Sequence, residues 1–167
     1  MLVGLPGSGK TSVGRCVARS LSAPFVDLDE RIVAARGTSI AQIFAAEGEA
    51  SFRALEREHV RAVLTGEPVV LASGGGFVLD DGNRAAIRAL CLVVYLQTDA
   101  HEAARRLGPN PGRPLLEGGD TAWRLAQLLR RREPAYLSAS YRVSTDGRTV
   151  DEVAAQVAKL AREVAGW

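Results

Sequence analysis

Aromatic side chains are scarce in this chain of 167 residues, at 5% of the composition. Single-stranded nucleic-acid binders stack bases on aromatics along a concentrated basic groove. Here 21 basic residues stand against 19 acidic ones, a formal charge of only +2, so no nucleic-acid partner is expected. Long apolar runs are also missing. No stretch approaches the roughly 18 residues of a membrane span, so no membrane partner is expected either. Cysteine is limited to Cys16 and Cys91, with no C-x-x-C and no histidine at metal-ligand spacing. Two reduced, mostly buried thiols in a cytoplasmic protein are the economical expectation. The first residues lead straight into a glycine-rich loop, which predicts no signal peptide. Lysine is the last scarcity. Of the 21 basic residues only Lys10 and Lys159 are lysines, so the ammonium at position 10 looks chosen.

What is present suits one core. The chain is 47% hydrophobic and 24% charged, which excludes disorder, and the length predicts a single domain over 1–167. Short apolar runs alternate with amphipathic segments. Strands are expected at Leu2-Val3, Phe25-Val26, Val69 to Ala72, Leu92 to Leu96 and Arg142 to Ser144. The continuous run Leu92-Val93-Val94-Tyr95-Leu96 reads as a strand covered on both faces. Val13, Cys16, Val17 and Leu21 share one helical stripe, as do Val153, Val157, Leu160 and Val164 of a closing helix. This alternation predicts an α/β fold, a parallel sheet with helices on both faces. Gly108-Pro109-Asn110-Pro111-Gly112, followed by Arg113-Pro114 and Gly118-Gly119, breaks the pattern. Prolines flanked by glycines cannot continue a helix, and a lid over about 108–121 is expected.

Gly4-Leu5-Pro6-Gly7-Ser8-Gly9-Lys10-Thr11 fits G-x-x-x-x-G-K-[ST] without a mismatch. Glycines let backbone N–H groups turn inward on phosphate oxygens, and the helix that follows adds its positive end. Lys10 would reach the β- and γ-phosphates and the Thr11 hydroxyl would sit on Mg²⁺. A strand before and an amphipathic helix after mark this as a nucleotide-binding P-loop. The guanine-reading N-K-x-D is absent, and the chain is short for a motor ATPase, which leaves a small-molecule kinase.

Asp27-Leu28-Asp29-Glu30 follows the second strand. Two acids at i and i+2 on a strand end would project together toward the P-loop. A helix N-cap with ordinary first-turn acids is the alternative for one of them. Then come Phe52-Arg53-x-x-Glu56, Gly74-Gly75-Gly76, Arg113-Pro114-Leu115-Leu116 and Arg132-Glu133-Pro134-Ala135-Tyr136. In this order, across nearly the whole chain, these resemble the shikimate kinase family.

The resemblance implies a P-loop kinase with a five-stranded parallel sheet in order 2-3-1-4-5 and an acceptor-binding region at about 29–62. It implies ATP and shikimate as ligands, the 3-hydroxyl of shikimate as acceptor, Mg²⁺ as cofactor and a monomer. It implies nucleotide binding by Gly7, Ser8, Gly9, Lys10, Thr11, Ser12, Arg106, Arg113 and Arg148. Shikimate would be bound by Asp29, Arg53, Gly75, Gly76 and Arg132, with Phe44, Phe52, Pro114 and Leu115 lining its pocket. Lys10, Asp29 and Arg113 would be catalytic. Thr11 and, through water, Asp27 would hold the metal. Glu56 could pair with Arg53 or Arg132, whereas His59 and His101 have no ligand-spaced partner. Two rivals remain open: a kinase with another acceptor, such as gluconate or a nucleoside monophosphate, and a non-catalytic sensor domain. One departure concerns the first strand. Only Met1, Leu2 and Val3 precede Gly4, fewer residues than relatives usually have, so the strand is expected to extend upstream of Met1.

Overall fold

The computed structural model describes residues 1–108 and 119–167, and among the described residues five short strands alternate with seven helices. The strands are β1 (Leu2–Val3), β2 (Phe25–Asp27), β3 (Val70–Ala72), β4 (Val94–Gln97) and β5 (Tyr141–Ser144). They form one sheet in the order β2-β3-β1-β4-β5, with every pairing parallel. The helices are α1 (Lys10–Ser20), α2 (Leu28–Arg36), α3 (Ile40–Leu64), α4 (Asp81–Leu90), α5 (Ala100–Leu107), α6 (Thr121–Tyr136) and α7 (Val150–Ala165). A 3₁₀ turn at Phe77–Leu79 precedes α4. Among the described residues no helix is long and apolar enough to cross a membrane.

Strand alternation divides the core in two. Leu2, Val70, Val94 and Leu96 meet Val13 and Val17 of α1 and Val153 and Val157 of α7. Their neighbours Val3, Leu71 and Tyr95 pack on the opposite side with Ile32 of α2, Phe52 of α3 and Tyr136 of α6. Successive side chains of a strand point to opposite faces, so runs too short to show periodicity still serve two apolar layers. A smaller cluster of Leu5, Ala100, Ala103 and Leu125 seats α5 and α6 against the loop after β1.

Several expected boundaries move. The central ladder of β4 begins at Val94 and runs to Gln97, because Val94 pairs with Leu2 and Tyr141 and Gln97 pairs with Ser144. Leu92 therefore falls outside the strand. Asp29 does not lie on a strand end. Asp27 is the last residue of β2 and also the N-cap of α2, its side chain accepting from the Asp29 and Glu30 N–H groups. Asp29 thus belongs to the first helical turn. Cys16 and Cys91 are half-buried rather than buried, since one rims the apolar layer on α1 and the other ends α4. The 25-residue α3 breaks at Gly48, whose φ of 80° and ψ of 171° are not helical. Glycine tolerates that conformation, and the break separates the capped start, with its Ser39–Gln42 box, from the segment that carries Arg53 and Glu56. The closing helix starts from a Thr149–Glu152 box and stops at Gly166, φ 71°.

Because the strands are parallel, the loops leaving β1, β2, β3, β4 and β5 all emerge at one sheet edge. Ligands of open α/β sheets bind at that edge.

Candidate active site

A cleft of about 450 Å³ opens there. Its lining joins Gly7, Ser8, Gly9, Lys10, Thr11 and Ser12 of the first loop to Asp27, Asp29, Gly74, Gly75, Arg106 and Arg148. Five separate stretches of sequence therefore meet in one concavity.

The first loop is built to hold an anion. Gly9 caps α1 in the left-handed region, φ 88°, and contributes no side-chain cap, so the first-turn N–H groups of α1 keep no side-chain acceptor at the cap. Helix N-termini in that state take anions readily. Gly7 has φ 84°, and a Cβ there would come within 2.6 Å of the Ala103 carbonyl oxygen. The Lys10 ammonium folds over the loop, donating to the Gly4 and Leu5 carbonyls at 2.9 Å each. Beside it the Thr11 hydroxyl donates to Asp27 Oδ2 at 2.7 Å, while Asp27 Oδ1 takes the Asp29 N–H at 3.0 Å. Asp27 thus fills both readings left open by the sequence: it is a helix cap and it faces the cleft.

At the far side of the cleft stands Arg106. Its Nε donates to Glu102 at 2.8 Å, and its terminal nitrogens donate to the Thr145 hydroxyl and carbonyl at 2.9 and 2.8 Å. These bonds lie in the guanidinium plane and hold the plane fixed. Arg148 donates to Gln156 and to the Ser144 and Glu152 carbonyls, which anchors the loop after β5 on α7.

The three-glycine turn after β3 lies directly under a group of charged side chains. A Cβ at Gly74 would come 2.5 Å from Glu56 Oε1 and 2.9 Å from Asp29 Oδ1. At Gly75 it would meet Tyr136 Oη at 3.1 Å and Arg132 Nη1 at 3.2 Å, and at Gly76 it would run into the Arg53 guanidinium. These glycines are there for close approach. Arg53 donates to Glu56 at 2.5 Å and to Glu49 at 2.7 Å, both on its own helix. Arg132 is only 6% exposed, and among the described residues no carboxylate forms an ion pair with it. Arg130 and Arg131, by contrast, are exposed. Of the residues expected to line an acceptor pocket, Phe52 is a core residue with Phe44 packed on its ring at 4.8 Å. The burial of Phe52 follows from its place on the sheet-facing side of α3. Arg113, Pro114 and Leu115 lie outside the described residues.

Glu56 is fully buried, and Oε1 has no hydrogen-bond partner among the described residues. Burial pushes its carboxyl up from 4.5 to about 7, against the pull of Arg53, with the Asp29 charge adding to the rise and Arg132 opposing it. A folded-state value above the unfolded one means the native state binds more protons between the two. Stability from this group is therefore full below about pH 4.5 and is lost as pH rises through about 7. Comparing melting temperatures of the wild type and Glu56→Gln from pH 4 to 8 should show the difference moving against the wild type across that window. A difference that stays constant with pH would disprove the assignment.

Two acidic residues escape the motif reading. Glu49 stands four residues before Arg53 and Glu102 four before Arg106, and both form ion pairs. Acid-before-arginine at i,i+4 is the available signal, but it is common on solvated helices and does not by itself mark a site.

Comparison with known proteins agrees with this geometry. The shikimate kinase family model matches residues 6–162. A shikimate kinase of Salinispora arenicola is 48% identical over 161 residues, which is 96% of this chain and 95% of that protein. One from Rhodococcus jostii is 42% identical over 163 residues, 96% of each. The solved structure of shikimate kinase from Acinetobacter baumannii in complex with shikimate aligns with a TM-score of 0.91 at 34% identity, over 97% of this chain and 91% of that one. On all three counts the chain belongs to the shikimate kinase family.

Proposed function

We propose that this cleft transfers the γ-phosphoryl group of ATP to the 3-hydroxyl of shikimate, giving shikimate 3-phosphate and ADP. The observation that carries the reading is the buried Arg132, which has no ion pair among the described residues and lies against Gly75. A buried guanidinium that no carboxylate contacts among the described residues is costly, and an anionic acceptor seated there lowers the cost. Arg53 lies against the next glycine, so two guanidinium groups border one peptide. A carboxylate is what two such forks grip best.

With the carboxylate at the arginines, the acceptor's hydroxyls face Asp29, which lines the same cleft as the P-loop. Asp29 takes the proton of the attacking hydroxyl as its oxygen bonds to the γ-phosphorus. The bond from that phosphorus to the bridging oxygen breaks, and ADP keeps the electron pair. Lys10 and the N–H groups of Gly7, Ser8, Gly9, Thr11 and Ser12 offset the charge that develops. Arg113 is assigned the same task from the lid, and Arg106 and Arg148 border the nucleobase. Thr11 and Asp27 offer two hard oxygens in hydrogen-bond contact at the phosphate end, a donor set suited to Mg²⁺. When bound, Mg²⁺ neutralises phosphate charge; Thr11 would be a direct ligand and Asp27 one through water. The protein acts as a monomer on these two small molecules.

A coupled ADP-release assay tests the acceptor. Shikimate should support turnover, while gluconate and nucleoside monophosphates should fall near background. ADP release with one of those and none with shikimate would overturn the acceptor. Shikimate binding without any ADP release would favour the sensor domain instead.

A further inference from the structure

Tyr136 stands four residues after Arg132 in α6, so both side chains leave the helix on one face. Its ring is wholly buried and stacks on Tyr95 of β4, with centroids 5.2 Å apart and planes 28° from parallel. The hydroxyl donates to the Gly75 carbonyl at 2.6 Å. The Arg132 guanidinium lies beside it, since a Cβ on Gly75 would touch Tyr136 Oη and Arg132 Nη1 at nearly equal distance.

The Gly75–Gly76 peptide has little of its own to hold it. Neither residue has a Cβ, so the backbone there has wide conformational freedom. The bond is trans, and in a planar trans peptide the Gly75 carbonyl and the Gly76 N–H point in opposite directions. Fixing one fixes the other. Tyr136 draws the carbonyl toward α6 and thereby turns the Gly76 N–H away from that helix. The same peptide has Arg132 packed on its first Cα and Arg53 on its second.

We propose that Tyr136 is a positioning residue for the acceptor's carboxylate: its hydroxyl locks the Gly75–Gly76 peptide and sets Arg132 against it before the acceptor arrives. The stack on Tyr95 supplies the rigidity, because it ties the phenol to the central region of the sheet. The inference rests on the reading of Arg53 and Arg132 as the carboxylate site.

Tyr136→Phe keeps the ring and the stack and removes only the donor. It should raise KM for shikimate about five- to thirtyfold, the range expected when a buried carbonyl loses its partner. KM for ATP should stay within twofold and kcat within about threefold. Discrimination between shikimate and its methyl ester should narrow by a similar factor, because only the carboxylate end is loosened. A purely structural role would lower the melting temperature while leaving shikimate KM and that discrimination unchanged, and this result would overturn the proposal. A double-mutant cycle with Arg132→Lys gives a second reading. The two changes should be less than additive in shikimate KM, and additivity would count against the coupling. A wild-type enzyme that fails to phosphorylate shikimate overturns the functional reading itself. Wild-type activity with an unaltered Tyr136→Phe overturns only this inference.

Discussion

Lys10→Met should reduce kcat by a factor of at least about a hundred while leaving the melting temperature within a few degrees of wild type. The ammonium sits on the Gly4 and Leu5 carbonyls, neutral groups that it can exchange for phosphate oxygens without moving the loop. The methionine stem fills similar space but offers neither charge nor donor. No other lysine can take over: Lys159 lies on α7 and faces Glu163 at 3.7 Å. Arginines are plentiful, yet a planar fork does not reproduce a compact point charge at the turn of a tight loop. As the γ-phosphoryl group transfers, negative charge builds on the bridging oxygen that leaves with ADP, and positioned cations are most of what a protein supplies to that reaction. ADP release under saturating ATP and shikimate measures the loss, and circular dichroism checks the fold. A Lys10→Met protein retaining more than about a tenth of wild-type kcat would remove Lys10 from the role assigned to it.

The same residues show how far the sequence reaches. Lys10 and Thr11 are legible because a P-loop is a local device: its chemistry is set by spacing along a single turn. The sheet order came through resemblance rather than through the strands, for β2 and β3 have three residues each, too few to show a period. Register was out of reach, since β4 takes its limits from Leu2 and Tyr141, residues far away in sequence. Asp27 was legible as chemistry and as a cap, but the sequence could not say that one side chain does both. The break at Gly48 has no sequence signal stronger than a lone glycine inside a helical pattern. Arg106 illustrates the remaining gap. Its bonds to Thr145 join α5 to the loop after β5, and only the folded chain brings the two together. Tyr136 sits in a recognisable motif, yet nothing in that motif tells that its hydroxyl ends on Gly75.

The acceptor class rests on the carboxylate, and removing that charge should have the second large effect. Shikimate methyl ester keeps every hydroxyl and the ring but carries no charge at the end proposed to meet Arg53 and Arg132. Arg53 would lose little on its own, because Glu56 and Glu49 already hold it. Arg132 would lose more: it is nearly inaccessible to solvent and has no paired carboxylate among the described residues. Leaving one buried charge without its counter-ion costs about 2–5 kcal/mol, which is roughly thirty- to several-thousand-fold in kcat/KM. The ester should fall in that range and Arg132→Lys should bring shikimate toward it, since an ammonium cannot form the bidentate contact. Arg53→Lys should also be impaired, with an added loss from the broken Glu56 and Glu49 bonds. Glu56 adds a pH signature. Below about pH 7 its carboxyl is protonated, so Arg53 is freer to attract an anion, and the preference for acid over ester should widen as pH falls toward 6. Steady-state kcat/KM for both acceptors at pH 6, 7 and 8 measures this directly. Equal turnover of the acid and its ester at every pH would show that the arginines do not read a carboxylate, and the proposed acceptor would fall with them.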